Sequence, residues 1–179
     1  MEKNVRYPGI QDGETFRLAG FEFIKFPSVN GETPIVMCDY AFTSRFGNNN
    51  DLRSSEVLNR MQAEILPKII EAVGEDNVCT IKTDLTTLDG LRPYGAMESK
   101  ISLPTIDFCR ANGEIFSKHK PSRWCWLATP WSAQPNDDPD WVLCVSPSGC
   151  IDYYDYYYDG VGVRPILILK STIFESSEG

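Results

Sequence analysis

The residues of this chain that could do chemistry are few, and their spacing gives most of them no companion. His119 is the single histidine and stands between Lys118 and Lys120, so neither a histidine-based triad nor a histidine metal set can be assembled. Cys38, Cys79, Cys109, Cys125, Cys144 and Cys150 include no C-x-x-C pair, which leaves zinc and dithiol redox motifs without material. Their expected state is the buried free thiol, acting as a small apolar group. Bridged pairs stay open for a protein that ends up outside a cell. Cys150 lies close to Asp152, yet no general base accompanies it. Gln134-Pro135-Asn136 with Asp137-Asp138 is the nearest approach to a calcium-binding loop, and a solvated turn is the alternative. The expectation is a protein that is not an enzyme and carries no metal and no cofactor.

Residue types suited to recognition are better represented. Trp124, Trp126, Trp131 and Trp141 are concentrated in one segment. Strand alternation sends Trp124 and Trp126 to one face, where they read as inward, structural anchors. Trp131 and Trp141 flank a loop rich in Pro, Asn and Asp, so one of them can stack on a sugar or a partner. Arg164 reads as structural, its guanidinium fork bonding buried carbonyls and orienting the last strand. The run Asp152 to Asp159 is the main candidate for an interface. In a strand, Tyr153, Asp155 and Tyr157 face one way, and Asp152, Tyr154, Tyr156 and Tyr158 the other. Tyrosine gives rigid contact area at low entropic cost, although an exposed amphipathic hairpin would have the same pattern. The expected partner-binding set is Trp131, Asn136, Asp137, Asp138, Trp141, Asp152, Tyr154, Asp155, Tyr156 and Tyr158.

These residues are set in a chain of 179 with a formal net charge of −8. That length suits one domain over residues 1–179. The acidic balance argues against direct sequence-specific binding of nucleic acid, which needs a basic footprint. No apolar run has the length of a membrane span, and the opening Met1–Pro8 lacks the apolar stretch of a secretory signal. A cytoplasmic or virion protein is therefore expected.

Hydrophobic spacing then places the elements. Phe16 to Phe26, interrupted at Ala19-Gly20, reads as two short strands, and Asn30-Gly31 turns the chain into a third over Pro34–Tyr40. A helix capped by Ser54 or Ser55 carries the stripe Val57, Leu58, Met61, Ile65, Leu66, Ile69, Ile70 and Val73, is divided or kinked by Pro67 and stops at Gly74. Val78–Lys82 suits a short strand, 84–100 an irregular excursion, and Leu103–Ala111 a second helix with Pro104 in its first turn. Strands are expected over Trp124–Ala128, Trp141–Ser146, Cys150–Tyr158 and Val163–Leu169.

Three motifs in order resemble the DUF6273 group of bacterial and phage domains. They are the helix start Ser54-Ser55-Glu56-Val57-Leu58-Asn59, the run Trp126-Leu127-Ala128-Thr129-Pro130, and the closing Gly162-Val163-Arg164-Pro165. The resemblance implies an α+β fold of C-type-lectin-like architecture, with mixed and antiparallel sheets and two flanking helices. It also implies phage or prophage origin. Fold does not settle function, so two readings follow. One is a non-catalytic recognition protein, a virion decoration or receptor-binding component that takes a protein or glycan through its C-terminal loops and hairpin. The other is a phage-encoded inhibitor of a host nucleic-acid-targeting defence enzyme, its acids competing for a basic groove. The oligomeric state is left open.

Overall fold

Two tight turns build the first sheet. Ala19 and Gly20 both adopt positive φ (53° and 85°), as do Asn30 and Gly31 (51° and 78°). Such turns match the twist of antiparallel strands. They join β1 (Thr15–Leu18), β2 (Phe21–Lys25) and β3 (Glu32–Met37) into a meander. This is a computed structural model describing residues 5–176; Met1–Asn4 of the opening segment lie outside the described residues.

The long helical stripe folds as two pieces. Ser55 accepts a hydrogen bond from the Leu58 amide at the start of α1 (Glu56–Glu64), and Pro67 sits in the first turn of α2 (Leu66–Val73). Proline is tolerated there because that turn needs no intrahelical N–H donor. Val57, Leu58, Met61, Ile65, Ile69 and Val73 are all buried.

The middle of the chain departs from expectation at two places. Ile81–Asp84 (β5) pairs antiparallel with Ala96–Ser99 (β6), so the segment 84–100 is a hairpin with a long loop rather than wholly irregular. The expected second helix starts later, at α3 (Ile106–Ala111). Thr105 caps it by accepting from the Phe108 amide, and Pro104 precedes the cap. Asn112-Gly113 does not end the helical region, because α4 (Gly113–Ser117) follows directly. The two flanking helices of the expected architecture are thus two helical units, each broken in two.

Strands β4 (Phe42–Thr43), β7 (Cys125–Pro130), β8 (Trp141–Val145), β9 (Ile151–Asp155) and β10 (Gly162–Val163) form a second sheet in the order β4-β10-β7-β8-β9. Its ladders are antiparallel except that β10 runs parallel to β7. The single closing strand expected over Val163–Leu169 is divided. Pro165, which has no N–H to give a ladder, separates β10 from β11 (Ile166–Lys170), and β11 pairs with β3 in the first sheet. The fold is α+β with mixed sheets.

Strand alternation distributes the apolar side chains over three clusters. Phe16, Leu18, Phe23, Ile35 and Met37 of the first sheet meet Trp126, Ala128, Val142, Cys144 and Val163 of the second, closed off by α1 and α2. The opposite face of the first sheet (Ile24, Phe26, Val36, Ile166) is covered by Phe108, Ile115 and Phe116 of α3 and α4. On the outer face of the second sheet, Leu127, Leu143 and Val145 pack against Ile106 and Cys109 of α3, with Trp131 beside them. Trp126 is sealed in the main core, its Nε1 donating to the Ser44 carbonyl at 2.9 Å. Among the described residues, no helix is long and apolar enough to cross a membrane.

Strand β10 lies between β4 and β7 in the second sheet, with Tyr40 close against it. A Cβ at Gly162 would lie 2.7 Å from Tyr40 Cβ and 3.0 Å from Cys125 Sγ. Gly162→Ala is expected to destabilise the fold by about 1–3 kcal/mol through overpacking. Urea unfolding checks this, and an unchanged midpoint would contradict the close approach.

Candidate recognition face

The register of β8 with β9 fixes which side chains share the outer face. Trp141 opposes Asp155, Leu143 opposes Tyr153 and Val145 opposes Ile151, while Val142–Tyr154 and Cys144–Asp152 point to the inner side. Trp131, arriving from the end of β7, joins this outer row. Its ring centroid is 4.6 Å from Tyr153 and 6.2 Å from Trp141, and Tyr153 stacks on Trp141 at 4.7 Å with 16° between planes. Both tryptophans are half-buried, and Tyr153 is 38% exposed. The sequence expectation of one exposed tryptophan is therefore replaced by a trio in mutual contact. Tyr153 lies in the run expected to form an interface, although the expected partner set names its neighbours Asp152 and Tyr154 instead; its alternation with Tyr154 is the signal that singles it out.

The loop between β7 and β8 is held from beneath and from the side. Asn50, fully buried, donates from Nδ2 to the carbonyls of Ser132 (2.8 Å) and Trp141 (3.1 Å) and accepts from the Tyr94 hydroxyl at 2.6 Å. Its own amide donates to the Pro139 carbonyl. Asp89 accepts from Thr87 Oγ1, Ser132 Oγ and Asn136 Nδ2 at 2.6, 2.6 and 3.0 Å. Those bonds, led by Asn136, pull the Asp89 carboxyl down to about 2. Asn136, expected at the partner surface, is thus engaged in holding the loop shut. Gln134 donates to Asp138 at 3.0 Å across the cis Gln134-Pro135 bond.

Four carboxylates border the trio. Asp140 has its carboxyl raised by burial and by Asp138, Asp155 and Asp137 around it. Asp137 and Asp138 are exposed, and Asp155 is half-exposed. Ion pairs of the described residues engage Asp12, Asp51, Glu56, Glu64 and Glu75, and none of these four. The face therefore carries negative charge with no internal cation against it.

The remaining tyrosines separate from this face. Strand β9 ends at Asp155, so the alternation expected through Tyr158 stops there. Tyr156 and Tyr158 belong to the turn that follows. The Tyr156 amide donates to the Asp140 carbonyl, and its own carbonyl accepts from the Phe46 amide, which fixes that turn against the core. Tyr154 is half-buried, edge-on to Trp124 at 5.2 Å, with Tyr158 5.0 Å away. Asp152 lies on that same inner side, exposed. The ten expected partner residues are split between two sides of β9, and the structure joins only Trp131, Trp141, Asp137, Asp138 and Asp155 on the outer one.

Groups with reactive potential are engaged elsewhere. His119 Nε2 donates to the Gly13 carbonyl at 2.8 Å, since a carbonyl can only accept. Burial pushes the Cys125 thiol up to about 12 and raises Cys144 further. All six cysteines are free; Cys125 and Cys144 are buried, whereas Cys150 is exposed, contrary to the expectation of burial for all. Among the described residues, no group of three or more His, Cys, Asp or Glu is placed to hold a metal ion.

Two measurements test the loop's supports. Asn50→Ala leaves the Ser132 carbonyl and the Tyr94 hydroxyl without their partner, while the Trp141 carbonyl keeps the Trp131 amide, so a loss of about 1–3 kcal/mol is expected in chemical unfolding; protease should also cut the 131–140 loop faster. Because the Asp89 carboxyl is lower in the folded chain than in the unfolded one, its contribution is complete above the ordinary aspartate range. It is lost as pH falls through about 2. The Asn136 side-chain amide resonances should move in that acid range and stop doing so in Asp89→Asn; movement centred at an ordinary aspartate pH would refute the clamp.

Compared with protein-family models, curated proteins and solved structures, the chain matches none, so its reading rests on the chemistry of its own residues.

Proposed function

We propose that this protein is a non-catalytic recognition domain that takes a protein or glycan partner on the outer face of the second sheet. The single observation that carries the reading is the contacting trio Trp131, Trp141 and Tyr153 bordered by carboxylates without internal cations. Stacked rings held by a clamped loop lose little freedom on binding, which is how aromatic-rich interfaces gain affinity. Carboxylates at the rim add hydrogen-bond acceptors for sugar hydroxyls and steer a cationic partner. The engagement of His119 with the backbone, and the protonated state of the buried thiols, support a role without catalysis. A virion component that contacts a receptor would use such a face.

The same carboxylates favour a second reading, an inhibitor acting in the host cytoplasm. Asp137, Asp138, Asp140 and Asp155 would occupy a basic groove meant for nucleic acid.

Affinity capture with host lysate and a glycan array, each run with wild type, Tyr153→Ser and Asp138→Lys, tests both. For the recognition reading, a bound protein or glycan should be lost by about tenfold or more in Tyr153→Ser, with the melting midpoint unchanged. Capture of a nucleic-acid enzyme that weakens with salt and in Asp138→Lys would favour the inhibitor. Full binding by both folded variants would remove this face from the site.

A further inference from the structure

A cleft of about 320 Å³ opens between α3, α4 and the turn joining β8 to β9. Its walls have two chemistries. Phe116, Val145 and Ile151 supply apolar surface, and Arg164, Lys120 and Arg110 supply positive charge; no aspartate or glutamate lines it. In a chain with a net charge of −8, three cations gathered without an acid is a local reversal of sign. Neither Lys120 nor Arg110 has an ion pair among the described residues.

Arg164 makes this a built site rather than a chance gathering of surface charge. The residue is 3% exposed. Its Nε donates to the Met37 carbonyl at 2.7 Å, and its Nη2 to those of Cys38 and His119 at 2.8 and 2.6 Å. Nη1 has no hydrogen bond to a described residue. Among the described residues no sealed side-chain nitrogen lacks a partner, so Nη1 is open to solvent, and Arg164 is one of the residues that line the cleft. The guanidinium lies 5.5 Å from the centroid of the Phe116 ring. Backbone carbonyls take three hydrogen bonds from it and the Asp39 carboxylate acts on it electrostatically, but no acid stands in the cleft itself; a largely buried cation is expensive to hold away from water. Burial holds the neighbouring Cys109 thiol at about 12, so it remains neutral and does not cancel that charge. Lys120 also lines the cleft, its stem 3.5 Å from where a Cβ of Gly149 would stand.

We propose that this cleft binds the carboxylate of a small amphipathic ligand. The anionic head would meet Arg164 Nη1 and Lys120, and the apolar body would lie on Phe116, Val145 and Ile151. The volume admits roughly ten non-hydrogen atoms at the packing of a condensed phase, the size of an aryl-alkyl acid or of one C-terminal residue of a peptide. The site stands independently of the aromatic trio.

Hydrocinnamate, its neutral amide, inorganic phosphate, and a tripeptide ending in phenylalanine as free acid and as amide are the probes, followed by amide chemical shifts of the full chain. Hydrocinnamate or the peptide acid should move Gly113, Gly149 and Ile151 saturably. The matching neutral amide should bind about tenfold or more weakly. Phosphate, which has no apolar body, should bind more weakly than either acid. Tighter binding of the peptide acid makes a chain terminus the source of the carboxylate, and tighter binding of hydrocinnamate a free acid. Because Arg164 is built into the fold, the variants are the exposed Lys120→Glu, expected to weaken binding about tenfold, and Ile151→Asp, expected to do the same without moving the melting midpoint. Equal binding of acid and amide, phosphate as tight as hydrocinnamate, absence of saturable shifts with either acid, or unchanged affinity in folded Lys120→Glu would each overturn the proposal.

Discussion

A buried guanidinium cannot be left without acceptors, and the way Arg164 finds them governs how the two sheets are joined. The chain must leave the second sheet after β10 and enter the first at β11. At that crossing Arg164 reaches the carbonyls of Met37 and Cys38, at the end of β3, and of His119, after α4. One side chain thus holds together the first sheet, the second sheet and the helical unit that covers both. The backbone around it is arranged to match: the Pro165 carbonyl accepts from the Met37 amide, and that of Val163 from Ala41. A lysine could not reproduce this, because a point charge with rotating donors does not present a planar fork to several carbonyls at once.

The elements legible in the sequence are those whose determinants lie within a few residues of each other. Ala19-Gly20 and Asn30-Gly31 announce their turns. Ser55, Pro67 and Gly74 punctuate the α1–α2 unit at the positions observed. What could not be read depends on distant contacts. The split of the last strand follows from where β3 and β7 offer ladders, and the pairing of β5 with β6 bridges a loop with no strong alternation. For the face, alternation correctly divides Tyr153 from Tyr154, but it does not say which side of β9 the main core covers. The fate of Tyr156 was hidden for the same reason, since its turn is fixed by Phe46 and Asp140. Asn50 gave no local sign of its role: its partners Tyr94, Ser132 and Trp141 are 44 to 91 residues away along the chain.

The outer face of β8 and β9 is electrically polarised along its length. At one end Asp155 stands opposite Trp141, near Asp137, Asp138 and Asp140. At the other, Val145 and Ile151 border the cleft that holds Arg164 and Lys120. The intervening surface is aromatic and aliphatic. A ligand or partner spanning the strip would meet opposite signs at its two ends, which sets orientation as well as attraction. The hydrogen bonds of Asn50 and Asp89 hold in place the loop that carries Asp137, Asp138 and Asp140.

Strand β9 is the outermost member of its sheet, with no neighbour beyond it among the described residues. An open ladder of that kind is a template for unwanted pairing with another molecule, and charge on the terminal strand is a common safeguard. Asp152 and Asp155 supply it on both sides of the ribbon, since they project in opposite directions. Asp155 therefore both charges the outer face and guards this edge. Substitutions that removed both carboxylates would leave the open ladder without charge, so changes to this surface are constrained by the need to keep the strand from pairing edge to edge.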